Sequence, residues 1–168
     1  MPTFTTTVPI RWSDMDVYGH VNNARVVTLL EEARTQLLFG EGTRRGAQNL
    51  AKGVIVVGLA VRYRLPLVYS ATPVWVQLWV SELRAASFTL AYGISAAEGD
   101  GYAVTASTQL APYETVAKRP RRLTPAELEF LATFQDGPAT FQDGVVTAST
   151  LTASVVAASA VTDGDHGA

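Results

Sequence analysis

Residues 11–25, Arg-Trp-Ser-Asp-Met-Asp-Val-Tyr-Gly-His-Val-Asn-Asn-Ala-Arg, join two segments whose periodicities are incompatible. Upstream, Thr5-Thr-Thr-Val-Pro-Ile-Arg-Trp alternates and carries β-branched side chains, the pattern of a half-buried strand. Downstream, Val26, Leu29, Leu30, Ala33, Leu37 and Leu38 recur at helical spacing with Glu31, Glu32, Arg34 and Gln36 between them, which predicts a long amphipathic helix ending near Gly40. Asn22 and Asn23 have short carbonyl side chains suited to capping its start. The order is therefore strand, polar turn, helix. That turn holds two carboxylates, Asp14 and Asp16, with Gly19 and His20, beside backbone N–H groups that a helix start leaves unpaired.

The remainder alternates between strand patterns and turn signals. Gly40 to Asn49 is polar and glycine-rich, an expected stop for the helix. Val54 to Leu65 is a long β-branched run, apolar on both faces at first and alternating later, as a central strand leaving the core would be. Pro66 and Pro73 bracket a connection, and strand patterns then cover Val74 to Ser81, Ser87 to Ser95 and Tyr102 to Tyr113. Glu98-Gly-Asp-Gly between the last two is a hairpin signal, so the middle of the chain is expected to be an antiparallel meander. Trp75, Trp79, Phe88 and Tyr92 read as sheet core or interface. Thr124-Pro-Ala-Glu combines a cap, a proline at the first helical position and an acid three residues on, which predicts a short helix to about Phe134.

Composition sets limits. A charge of −2 over 168 residues offers no sequence-independent grip on nucleic acid, and the absence of cysteine excludes disulfides, thiolate nucleophiles and cysteine-bound metals. No apolar stretch reaches the length of a membrane span and the N-terminus lacks a signal-peptide pattern, so the expected location is the cytoplasm. One domain is expected over residues 1–135. Beyond it, Ala132-Thr-Phe-Gln-Asp-Gly is duplicated at once as Ala139-Thr-Phe-Gln-Asp-Gly, and Val145 to Ala168 is nearly all small residues. Residues 136–168 are expected to form a low-complexity tail, because such a segment buries too little area to offset its ordering entropy.

Taken together, these motifs carry a resemblance. Arg11-Trp-Ser-Asp-Met-Asp-Val-Tyr-Gly-His-Val-Asn-Asn, with Glu31 and Arg34 on the helix, Tyr63-Arg-Leu-Pro-Leu after the next strand and Arg119-Pro-Arg-Arg-Leu-Thr-Pro-Ala-Glu-Leu near the end, resembles the hot-dog-fold acyl-CoA thioesterases of the 4-hydroxybenzoyl-CoA thioesterase type. The resemblance spans roughly residues 4–135 and implies an α+β hot-dog fold, a curved antiparallel sheet wrapped around one long central helix. It also implies hydrolysis of an acyl-CoA thioester to acid and CoA, without a cofactor. Asp16 matches the family's loop aspartate, which acts as nucleophile or as base for water. Helix-start amides, at Asn22 and above all at Asn23, match the oxyanion donors.

His20 is read either as a proton carrier or as a residue that fixes the loop, Gly19 as part of the same motif, and Glu31 as a supporting acid. Asp14, Asp16 and His20 lack a further nearby ligand, so no metal is expected. Arg62, Arg64, Arg119 and Arg121 are the candidates to meet the nucleotide phosphates, since guanidinium forks pair with phosphate oxygens. An open sheet edge and the resemblance both point to a homodimer or homotetramer with sites at the subunit boundary. Two alternatives stay open, an acyl-carrier-protein thioesterase and a non-catalytic module that binds acyl-CoA or a protein. The chain departs from the family at Val26, where many relatives carry tyrosine, and at Tyr69-Ser-Ala-Thr-Pro, where relatives often show Gly-Asp.

Overall fold

The computed structural model describes residues 3–135 and residue 137; the expected tail otherwise lies outside the described residues. Strand β1 (Phe4–Val8) leads through a 3-10 turn at Trp12–Asp14 to helix α1 (Asn23–Thr35). A widened π turn (Gln36–Glu41) and a single helical turn α2 (Gly42–Arg44) follow, then a 3-10 turn at Gln48–Lys52. Strands β2 (Val54–Tyr63), β3 (Val74–Leu83), β4 (Phe88–Ser95), β5 (Val104–Glu114) and β6 (Arg119–Pro120) precede helix α3 (Pro125–Ala132). All strand pairings are antiparallel, in the order β1-β3-β4-β5-β2, with β6 on the end of β5. The sheet curls around α1, the hot-dog architecture.

Alternation along the strands explains why one face meets the helix. Val76, Leu78 and Val80 on β3, Leu90, Tyr92 and Ile94 on β4, and Val104 and Leu110 on β5 share one core with Val26, Leu29, Leu30, Ala33, Leu37 and Leu38. At the far end of α1, Gln36 hydrogen-bonds Thr6 and reaches the Thr7 carbonyl, which ties the helix to β1. No helix among the described residues is long and apolar enough to cross a membrane.

Two expectations are corrected. Helical structure does not stop at Gly40: it runs on to Arg44 and closes at Gly46, whose φ of +87° is left-handed. Hydrogen bonds from Gly46 N to the Thr43 carbonyl and from Ala47 N to the Gly42 carbonyl complete a Schellman closure there. A glycine inside a helix costs only about 1 kcal/mol, less than burial of Leu37 and Leu38 returns. The β-branched run is also not a central strand. Among the described residues β2 pairs only with β5 and stands at the sheet edge, leaving Val56 50 % and Val57 57 % exposed. Its two apolar faces reflect an edge open on both sides within one subunit, not enclosure by two layers.

Helix α3 begins as predicted, with a reciprocal capping box between Thr124 and Glu127. Glu127 does more than cap. Fully buried, its two carboxylate oxygens accept from Arg121 Nη1 and Nη2 at 2.8 and 2.6 Å, and Arg121 Nη2 also donates to the Asn49 carbonyl at 3.0 Å. The fork thus joins α3 to the turn before β2. Burial alone raises the Glu127 pKa, but the bond from Arg121, then that from the Thr124 amide, outweighs it, and the carboxyl sits below its ordinary value. A carboxylate with a depressed folded pKa adds stability that is fully present above the unfolded value and is lost as pH falls through the folded one. Glu127→Gln is therefore expected to lower the unfolding free energy at neutral pH by about 3 kcal/mol, the low end for breaking a buried pair. Urea denaturation measures it, and the gap from wild type should close as the pH drops below 4.5.

Candidate active site

The site grows from the way the chain turns between β1 and α1. Asp14 is buried, and its Oδ2 accepts from the Arg11 backbone N–H at 2.8 Å and from Arg11 Nε at 3.5 Å. Its backbone carbonyl accepts from Asn22 N at 2.8 Å. Between these anchors a tight loop is pinched off. Met15 and Val21 form a β-bridge, Asp16 N donates to the His20 carbonyl at 2.9 Å, and Gly19 N donates to the Asp16 carbonyl at 3.1 Å. Gly19 supplies the left-handed φ of +79° that the loop needs, which a β-carbon would strain.

Asp16 is half-buried in this loop. Its Oδ1 accepts from Tyr18 N at 2.9 Å, a local turn that holds the carboxylate, while no described residue engages Oδ2. The two aspartates thus have different environments, Asp14 buried with Oδ2 bonded twice and Asp16 half-buried with Oδ2 open. The His20 backbone closes the loop while its exposed ring meets no hydrogen-bond partner among the described residues.

The start of α1 follows directly. Asn22 is the cap, with Oδ1 accepting from Ala24 N at 2.9 Å, whereas the Asn23 amide has no partner among the described residues. Sequence reasoning assigned Tyr63 no role, yet its hydroxyl donates to the Asn23 carbonyl at 3.0 Å and so fixes the first helical residue to the end of β2. Desolvation raises the Tyr63 pKa, which keeps that donor protonated. Tyr63 stood in the sequence only as the first residue of the Tyr63-Arg-Leu-Pro-Leu motif, forty positions from the residue it anchors. Val21 N also donates to the Leu67 carbonyl at 2.8 Å, which draws the segment after β2 against the loop. Around it Trp12, Val17, Tyr18, Leu65, Val68 and Tyr69 form an exposed apolar rim.

Asp16, Gly19, His20, Asn22 and Asn23 are therefore brought together, and the other candidates are not. Glu31 lies eight residues along α1, roughly 12 Å away at the helical rise, and pairs with Arg34 at 3.2 Å. Arg62 stands opposite Thr105 and Arg119 opposite Glu114, nine residues apart on β5 and so roughly 30 Å apart. Arg64 follows β2, with its amide on the Ala103 carbonyl, and Arg121 is held by Glu127. One subunit does not gather these four arginines around one phosphate group. Among the described residues no three His, Asp or Glu side chains cluster as metal ligands.

A curled antiparallel sheet around one long helix, with a half-open carboxylate in the loop that leads into the helix start, defines the hot-dog class of protein. The chain belongs to the thioesterase-like superfamily, whose model matches residues 10–136. The long-chain acyl-CoA thioesterase FadM of Escherichia coli (strain K12) is 40 % identical over 67 residues, 39 % of this chain and 49 % of that protein. The alignment thus spans about half the length of that relative. A putative thioesterase from Pseudomonas aeruginosa has a similar structure, with TM-score 0.61 at 28 % identity over 71 % of this chain and 91 % of its own. The fold also matches a thioesterase from Thermus thermophilus solved with coenzyme A and zinc, with TM-score 0.65 at 24 % identity over 80 % of this chain and 95 % of that one.

The geometry separates the two asparagines. Asn22→Ala removes the helix cap and is expected to cost about 1 kcal/mol in chemical denaturation. Asn23→Ala, whose side chain makes no hydrogen bond among the described residues, is expected to stay within about 0.5 kcal/mol of wild type.

Proposed function

We propose that this protein is an acyl-CoA thioesterase, hydrolysing a thioester to a free acid and CoA. The observation that carries the reading is the unpaired Asn23 amide at the start of α1, set directly after the loop that presents the open oxygen of Asp16. A thioester carbonyl needs an attacking oxygen on one side and a donor for the developing negative charge on the other. Asp16 supplies the first, either attacking the carbonyl carbon itself or taking a proton from the water that does. The carbonyl π electrons move onto oxygen, where the Asn23 amide and the positive end of α1 stabilise them. Collapse of that oxyanion re-forms the C=O bond and expels the CoA thiolate, which takes up a proton; where Asp16 is the attacking group, water then adds to the acyl-aspartyl anhydride, releasing the acid and restoring the carboxylate. His20, with its ring open, stands beside the loop as a proton carrier.

The membership in a thioesterase superfamily and the FadM similarity support the chemistry and the CoA carrier. The arrangement also implies a second subunit. Edge strand β2 leaves a row of backbone groups unpaired and its apolar side chains uncovered, the condition under which a strand pairs with a copy of itself. A two-fold β2 pairing is antiparallel, so it sets the Arg62 and Arg64 end of one subunit beside the Arg119 end of the other, while Arg121 stays engaged by Glu127. Arginines far apart in one chain then flank one site, where a nucleotide's phosphates would lie.

A thiol-release assay over acyl-CoA and acyl-carrier-protein thioesters tests the chemistry. Asp16→Asn is expected to lose about a hundredfold or more in kcat, and full retention would reject the mechanism. Inactivity of wild type on every thioester would favour a binding module. The assembly is tested by light scattering: wild type is expected at the mass of two or four chains and Val57→Lys, which places a charge on the exposed edge, at that of one. A single-chain mass for wild type would contradict the paired site.

A further inference from the structure

Trp79 and Ala91 form a hydrophobic cluster of their own, 3 % and 1 % exposed and separate from the main core. They stand opposite one another on β3 and β4, and since Leu78 and Val80 belong to the main core, Trp79 lies on the other face of the sheet, away from α1. Tyr102 packs against them there. Its ring lies on Gly93, the diagonal neighbour of Trp79, so closely that a β-carbon on Gly93 would fall 2.2 Å from Cε1, and its hydroxyl hydrogen-bonds Gln77 Oε1. Neighbours within one sheet stand beside an indole and leave its outer side to solvent, so an exposure of 3 % requires a second layer on top. Helices α1 and α3 do not supply it, because Val26, Leu29, Phe130 and Leu131 pack into the main core on the opposite face.

The end of the described chain reaches that face. β1 pairs with β3 only as far as Leu78; beyond it, Val80 N donates to the Phe134 carbonyl at 2.8 Å and Val80 bridges to Gln135. The segment after α3 therefore takes the place that β1 leaves, with Phe134 edge-on to Phe4 and Phe130 at ring-centroid distances of 6.3 and 5.4 Å. Three residues on, Gly137 lies on the indole: a β-carbon there would fall 2.1 Å from Trp79 Cγ, an approach that only glycine permits. Residues 132–137 are the first copy of Ala-Thr-Phe-Gln-Asp-Gly, residues 139–144 are the second, and Phe141 is the one aromatic residue after Gly137. Four residues reach at most roughly 14 Å, and the diagonal step from Trp79 to Gly93, beneath the Tyr102 ring, is roughly 8 Å.

We propose that residues 138–144, which hold the second copy, lie over the outer face of the sheet with Phe141 against Trp79 and Tyr102. The duplicated hexapeptide is then used twice, Phe134 filling the main core beside β3 and Phe141 covering the small cluster on the other side. The domain extends to residue 144, and the small-residue run of 145–168 alone forms the tail. A face covered by its own chain is closed to a second subunit, which leaves the β2 edge as the surface for self-association. The inference does not rest on the thioesterase reading, and its test needs no substrate.

Chymotrypsin cuts after Phe141 and after Leu151, and mass spectrometry of the native full-length protein follows each bond separately, each rate scaled by that in a synthetic peptide of residues 136–156. The Phe141 bond is expected to be cut about tenfold or more slowly than the Leu151 bond, the factor that burial of one phenylalanine supplies. Gly137→Val, whose side chain would displace the segment from the indole, is expected to bring the two rates together. In a chain carrying Trp12→Phe and Trp75→Phe, Trp79 is the one indole left. Its quenching by acrylamide is expected to rise several-fold with Phe141→Ala and to stay unchanged with Leu151→Ala. Equal scaled cleavage at the two bonds in wild type, or Trp79 quenching indifferent to Phe141→Ala, would overturn the inference. Protection lost on dilution would overturn it as well, since the cover would then be a second copy of the chain.

Discussion

The arrangement depends on one buried carboxylate, that of Asp14. Its side chain holds the backbone at Arg11 and its carbonyl holds the backbone at Asn22, so the exit of the first strand and the entrance of the long helix are fastened at one residue. Everything between them must close on itself, and it does so as a hairpin-like loop with Gly19 in the left-handed region. Two residues further on, Asp16 inherits the opposite environment, held at one oxygen by a local amide and open at the other. Two carboxylates so near in sequence differ in environment because only the first is enclosed, which is why the proposed chemistry falls to the second.

The helix start gains its meaning from what pins it. Asn22 caps the second helical amide, Tyr63 holds the first residue's carbonyl, and the amide left over is that of Asn23. A donor that is rigid before the substrate arrives stabilises developing charge without reorganising, which is the physical content of a preformed oxyanion site. Because the anchoring tyrosine ends β2, the free edge strand is continuous with the site. A partner paired with that edge would lie beside the same loop.

Local features were legible in the sequence and non-local ones were not. The start of α1, the Asn22 cap, the Thr124 capping box and the hairpin at Gly99 are each fixed by residues within a few positions, and each stands where periodicity and turn chemistry put it. The placement of β2 at the edge is set by a pairing with β5 about fifty residues later, which no pattern within Val54 to Tyr63 encodes. A run that is apolar on both faces signifies burial without saying whether the cover comes from the same chain. Gly40 misled because adjacent buried leucines carry the helix through it to Gly46. Arg121 looked like a free cation until Glu127, six residues on, closed around it. The carboxylate, the glycine and the asparagines of the candidate site were visible as a group, yet thioester chemistry itself came from resemblance and not from spacing.

The central claim is that an acyl carbonyl lies between Asp16 and the Asn23 amide. A crystal structure with a CoA analogue in which a methylene replaces the thioester sulfur tests it most directly. The account predicts the analogue's carbonyl oxygen within hydrogen-bond distance of Asn23 N and an Asp16 oxygen on the opposite side of the carbonyl carbon. An analogue bound with its carbonyl remote from the start of α1, or with the Asp16 side chain turned away from it into bulk water, would contradict the account.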